Sequence, residues 1–122
     1  MRKIYLAGPY SHPDPTVRAI RFHKLNDKAA ELLRAGNLVF SPISHSHPIA
    51  EQCELPKDWE FWREWGSSFI WWCDEINILA LDGWQDSVGV KAETEFAYLI
   101  GKPVYIIEEQ PPPQVAGADE DS

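Results

Sequence analysis

Glu93 stands six residues beyond Ser87 and four beyond Gly89, in the run Asp86-Ser-Val-Gly-Val-Lys-Ala-Glu93-Thr-Glu-Phe-Ala97. A small polar turn followed by a helical pattern leaves backbone N–H groups free at the helix start, where phosphate or carboxylate oxygens can bind. A carboxylate about one turn further along faces the same crevice. There it can act as a nucleophile, a general base or a ribose ligand. Plainer roles stay open at this point: Asp86 or Ser87 as a helix N-cap, and Glu93 as a solvated helical glutamate like Glu95.

Two other segments carry residues fit for chemistry. In Lys3-Ile-Tyr5-Leu-Ala-Gly8-Pro9-Tyr10, Gly8 allows a ligand close to the backbone and Pro9 fixes the exit from a strand. Tyr10 opens the polar loop that follows. Tyr5 has apolar neighbours, and a buried tyrosine hydroxyl needs a partner that Glu93 could supply. The second segment, Ile43-Ser-His45-Ser-His47-Pro48, offers two imidazoles as hydrogen-bond donors or as acids toward a leaving group. With no third ligand beside them, a metal is not expected. No cofactor is expected either.

Elements that could position these residues are legible from pattern. Lys3–Ala7 predicts a first strand, ended by Gly8-Pro9. Apolar residues at helical spacing predict a helix from Thr16 to Arg34, with Gly36 as its stop. Residues 37–40 predict a second strand, and Ile43–Pro48 reads as a polar loop. Between Leu55 and Cys73 the pattern is helical, with Gly66 as an interruption that splits it into two shorter helices. A third strand over Ile76–Leu81, a helix to about Ile100 and a fourth strand over Pro103–Ile107 complete the order. Strands alternating with helices imply an α/β domain: a three-layer sandwich around a four- to five-stranded parallel sheet. In such a sheet the strand-to-helix loops share one edge. Gly8–His12, Ser41–His47 and Asp82–Glu93 therefore converge on one crevice.

Composition narrows the function. A chain of 122 residues suits one domain over residues 1–109, followed by a disordered acidic, proline-rich tail over residues 110–122. The net charge of −8, with eleven scattered Lys and Arg residues, argues against a nucleic-acid surface. No apolar run spans a membrane. Two cysteines, Cys53 and Cys73, fit neither a metal clip nor a disulfide framework, and with no signal peptide they point to a cytoplasmic protein. The tryptophans cluster between Trp59 and Trp84, as in a thick core or an oligomer interface, so a homo-oligomer (dimer or tetramer) is expected.

Ile4-Tyr-Leu-Ala-Gly8, Asp74 before the third strand and Ser87-x-Gly-x-x-x-Glu93-x-x-x-Ala97 resemble the nucleoside 2-deoxyribosyltransferase superfamily, which includes the 2'-deoxynucleoside 5'-phosphate N-hydrolases. The closest resemblance is to a branch of short members whose function is uncharacterised. It implies a flavodoxin-like fold and a nucleoside or nucleotide as ligand. It also implies Glu93 as the nucleophile on the anomeric carbon of deoxyribose, with Tyr5 orienting that carboxylate. Ser87 matches the residue that receives the phosphate in the 5'-phosphate hydrolases. One position departs from the pattern: where the superfamily carries an aspartate eight residues before Asp74, this chain has Gly66. The proton for the departing base must then come from elsewhere, with His45, His47 and Asp58 as candidates. The sequence thus leads to two expectations. One is an enzyme that cleaves or exchanges the N-glycosidic bond of a deoxyribonucleoside or its 5'-monophosphate. The other is a non-catalytic nucleotide-binding sensor or interaction module.

Overall fold

The computed structural model describes residues 1–109, so the tail expected over residues 110–122 lies outside the described residues. Four strands, β1 (Lys3–Ala7), β2 (Leu38–Phe40), β3 (Glu75–Leu79) and β4 (Val104–Ile107), form one sheet in the order β2-β1-β3-β4. Every pairing is parallel, with Tyr5 of β1 level with Phe40 of β2 and Ile76 of β3. Parallel neighbours cannot be joined by a hairpin, so each connection carries helix. These are α1 (Pro15–Arg34), then α2 (Pro42–Cys53) with α3 (Trp59–Trp72), then α4 (Val88–Leu99). This is the α/β, flavodoxin-like sandwich, with four strands.

Side-chain alternation along the strands divides the core into two layers. Tyr5, Ala7, Ile76 and Ile78 face α3 and α4, where Ile70, Cys73, Val90 and Ala97 meet them. Leu6 and Leu79 face the other way, onto Leu25 of α1 and Leu81. β1 and β3 are buried almost throughout, as central strands covered on both sides must be. Ile76 is fully buried at the centre of this sheet. Ile76→Ala is expected to cost about 2–5 kcal/mol, read as a lower urea midpoint with an unchanged slope.

Helix starts follow their local chemistry. Asp14 caps α1 by accepting from the Thr16 N–H at 2.9 Å, and Pro15 occupies the first turn, where its missing N–H is no loss. Gly36, at φ 96°, takes the chain out of α1 toward β2.

Two readings of the middle region are corrected. Ile43–Pro48 is not a loop but part of α2. Ser41-Pro42 opens that helix, and its buried residues Pro42, Ser46 and Ala50 recur every four positions on one face. Small and hydroxyl-bearing residues carry this periodicity, so hydropathy does not reveal it. Gly66 likewise does not divide its helix, because α3 runs unbroken from Trp59 to Trp72. The glycine is needed for close packing: a Cβ there would lie 3.1 Å from the Tyr5 hydroxyl oxygen and 3.1 Å from the Trp59 ring. β3 also begins one residue before the expected Ile76 and ends at Leu79. Among the described residues, no helix is long and apolar enough to cross a membrane.

Candidate active site

Three chain segments meet at the carboxyl edge of the sheet. β1 leads to Gly8, the Ser41-Pro42 turn starts α2, and β3 leads through a 3-10 turn (Trp84–Asp86) to α4. Ser87 caps α4, its Oγ accepting from the Val90 N–H at 3.2 Å. That cap sets the direction of the first two helical turns. Glu93 lies on the buried face of α4, with Val90 and Ala97.

Glu93 is only 7% exposed, and Tyr5 is fully buried. The Tyr5 hydroxyl donates to Glu93 Oε2 at 2.5 Å, joining β1 to α4 across 88 positions of sequence. Burial disfavours the charged carboxylate and pushes Glu93 up to about 7, while the bond from Tyr5 works in the opposite direction. Burial, with Glu93 nearby, holds the Tyr5 phenol well above its ordinary range, so Tyr5 stays the proton donor of the pair. A carboxyl that titrates near neutrality is poised to act as either nucleophile or base.

The pair forms the floor of a cavity of about 400 Å³, within the usual range for small-molecule sites. Trp59, Trp62 and Trp65 of α3 and Pro42 and Ile43 of α2 make an apolar wall. Asp86, Ser87 and Gly89 line the cavity where the chain enters α4, with Gly89 close to Trp59. Lys57 is the one basic residue on the wall among the described residues, and its Nζ lies 3.8 Å from Glu51. No group of three or more His, Cys, Asp or Glu side chains among the described residues is placed to hold a metal ion.

Of the residues singled out from sequence, Tyr5, Gly8, Tyr10, Asp86, Ser87, Gly89 and Glu93 all line this cavity. Gly8 also serves packing, since a Cβ there would meet the Leu25 Cδ2 at 2.8 Å. Pro9 is buried but does not line the cavity. His45 and His47 do not line it either, because α2 turns Pro42, Ile43, Ser46 and Ala50 inward instead. His45 is exposed and stacks on Trp65 with ring centroids 5.2 Å apart. His47 sits behind Tyr10, with Nδ1 2.5 Å from the Tyr10 hydroxyl and its ring stacked on Phe22. Burial lowers the His47 pKa and favours the neutral imidazole. Asp74 lies at the other edge of the sheet, where it accepts from the Lys3 N–H at 2.8 Å and ties β3 to β1.

Of the tryptophans expected in a core or an interface, Trp84 packs against the core, and Trp59, Trp62 and Trp65 form a cavity wall that sequence reasoning missed. Their spacing of three was the available signal, since it sets one aromatic stripe along a helix. The missing Cβ of Gly66 lets that helix lie against Tyr5. Gly66→Ala is expected to displace Trp59 or the Tyr5 hydroxyl by a few tenths of an ångström and to cost about 1–3 kcal/mol. Loss of indole quenching or of thermal stability would report it.

The fold and the site together define a parallel α/β sandwich whose carboxyl edge holds a buried carboxylate–phenol pair at the floor of an aromatic-walled cavity. The chain belongs to the family described as "Domain of unknown function (DUF1937)", which matches residues 2–109. Among solved structures it is similar to a 2-deoxyribosyltransferase from the psychrotolerant bacterium Bacillus psychrosaccharolyticus, described as a biocatalyst for the synthesis of antiviral and antitumoral nucleosides. The two share 27% sequence identity with a TM-score of 0.56, over 87% of this chain and 72% of that one. No curated protein sequence matches the chain significantly. The chain is thus similar to a 2-deoxyribosyltransferase in fold and, at 27% identity, in sequence.

Proposed function

We propose that this protein cleaves or exchanges the N-glycosidic bond of a deoxyribonucleoside or its 5'-monophosphate, with Glu93 as the nucleophile. One observation carries the reading: a buried carboxylate, held by a tyrosine hydroxyl at 2.5 Å, forms the floor of a ligand-sized cavity. Attack by Glu93 on the anomeric carbon forms a glycosyl ester as the base leaves. Water or a second base then resolves the ester, as in retaining glycosidases. The similarity to a 2-deoxyribosyltransferase supports the same chemistry. The aromatic wall suits a planar base, and the amino end of α4 suits the 5' end of the sugar.

For the 5' substituent, two features of the cavity oppose each other. Free N–H groups at the α4 start favour a phosphate, whereas Asp58, Glu60 and Asp86 on the wall, against Lys57 alone, disfavour a dianion. Incubation with each deoxynucleoside and each 5'-monophosphate, followed by chromatography of free base, separates the two. No base release above a Glu93→Ala control from any of them would sink the enzymatic reading.

The second reading, a non-catalytic nucleotide-binding module, draws on Gly66, where the packing leaves no room for an acid. It expects calorimetric binding of an intact nucleoside or nucleotide that survives Glu93→Gln. We also infer self-association, supported by Trp71, Tyr98 and Leu99, which are left 66%, 67% and 82% exposed on α3 and α4. A monomeric mass in sedimentation equilibrium at micromolar concentration would overturn that part.

A further inference from the structure

The chain carries a net charge of −8, yet beside the cavity two cations share a single carboxylate. Arg18 Nε of α1 lies 3.7 Å from Glu51 Oε2, and Lys57 Nζ lies 3.8 Å from the same oxygen. Neither distance is that of a hydrogen bond. The other ion pairs among the described residues close to 3.4 Å or less. Arg18 Nε is also the one buried side-chain nitrogen or oxygen among the described residues that has no hydrogen-bond partner. A buried donor left unpaired is costly, so this atom calls for an acceptor.

Both cations are held by groups other than Glu51. Arg18 Nη1 donates to the His12 carbonyl at 2.6 Å, which anchors the guanidinium. Ser11 Oγ donates to the Lys57 carbonyl at 3.1 Å, and Trp62 Nε1 to the Pro56 carbonyl at 2.7 Å, which together fix the backbone that carries Lys57. Glu51 is the most open of the three, its side chain 41% exposed against 15% for Arg18 and 26% for Lys57. The cluster adjoins the cavity through Lys57 and the buried Tyr10, which both line it. Burial raises the Tyr10 pKa, Glu51 adds to that and Arg18 opposes it, so both charges act on a phenol of the cavity lining. Arg18 itself does not line the wall, and the charges there understate what a ligand meets next to Lys57.

We propose that Arg18 and Lys57 form an oxyanion subsite, apart from the amino end of α4, that takes a phosphate monoester group of the ligand. Glu51 Oε2 marks the place of a ligand oxygen, since it already lies between the two cations. As Glu51 turns out to solvent, phosphate oxygens accept from Lys57 Nζ and from Arg18 Nε, which gains its missing partner. Two cations then match a phosphate monoester, whose charge at pH 7 is about −1.5 to −2. The subsite rests on the proposed reading of the cavity as a nucleoside or nucleotide site, and the phosphate can stand on the 5' or the 3' oxygen of the sugar.

The test is calorimetric binding of deoxyadenosine, its 5'-monophosphate and its 3'-monophosphate to the unaltered protein and to Lys57→Gln, Arg18→Gln and Glu51→Gln. One monophosphate is expected to bind about tenfold or more tightly than deoxyadenosine, and which of the two does so places the phosphate on the sugar. Lys57→Gln and Arg18→Gln are each expected to reduce that advantage to about threefold or less. Glu51→Gln, a change at an exposed side chain, removes the competing carboxylate and is expected to widen the advantage, which a merely structural ion pair would not do. It also keeps the test decisive if Arg18→Gln fails to fold. Deoxyadenosine binding with no gain from either phosphate, an advantage that Lys57→Gln leaves intact, or one that Glu51→Gln narrows would overturn the subsite alone. No binding of any of the three compounds would overturn it together with the nucleotide reading on which it rests.

Discussion

Glutamine at position 93 is expected to abolish base release while making the folded protein more stable above neutral pH. Removing a carboxylate nucleophile is expected to lower kcat by at least about 10⁴-fold. The gain in stability follows from the burial that makes the residue reactive. Burial raises Glu93 from 4.5 to about 7 in the folded protein. The folded state therefore holds a proton that the unfolded state has lost between those two values, and stability falls as pH rises through that window. At about 1.4 kcal/mol per pKa unit, the ionised form costs on the order of 3 kcal/mol by pH 8. Glutamine is neutral at every pH and can still accept the bond from Tyr5. Urea unfolding is accordingly expected to show little difference between Glu93→Gln and the unaltered protein at pH 4, and an advantage for the variant of about 3 kcal/mol at pH 8. A difference that does not change with pH would mean that Glu93 does not titrate near neutrality, and the case for it as a poised nucleophile would fail.

Such a trade between stability and activity is what functional sites commonly show, and it bears on how far the site could be read from sequence. β1 was legible because an apolar run with a β-branched residue ends at Gly8-Pro9. The Ser87 cap and the placing of Glu93 in α4 followed from turn chemistry that is purely local. Parallel topology then brought Tyr5 and Glu93 to the same edge of the sheet. The convergence of Gly8, Tyr10, Asp86, Ser87 and Gly89 on one cavity follows from the same topology. The second connection was not legible. Its buried residues are Pro42, Ser46 and Ala50, so hydropathy shows no helix, and the histidines were read as loop residues facing the crevice. A helix advances about 100° per residue, so the α2 face that turns Pro42 and Ser46 inward turns His45 outward onto Trp65. Gly66 misled for a related reason. Glycine weakens an isolated helix, but here its bare backbone is what lets α3 approach the Tyr5 hydroxyl. A reading of local propensity cannot see a neighbour that lies 61 positions away.

Tyr5→Phe separates the two things that hydroxyl can do. The phenylalanine ring keeps the packing against Phe40, whose centroid lies 6.0 Å away, so the change removes only the donor. Glu93 then loses the one bond that offsets burial, and its carboxyl is expected to rise beyond about 7. The acid limb of the pH–activity profile should move to higher pH in step, because only the ionised carboxylate attacks. Activity at pH 7 is expected to fall by about tenfold or more and to recover toward the unaltered rate near pH 9. Stability should follow the same sign. Both forms lose the bond and the charged form loses the stronger one, so the cost is smaller at pH 5 than at pH 8, where it is about 1–3 kcal/mol. In the Glu93→Gln background that pH dependence should vanish, which a double-mutant cycle measures directly. A Tyr5→Phe variant that loses activity equally at every pH, with its acid limb unmoved, would assign the hydroxyl to the substrate rather than to the carboxylate.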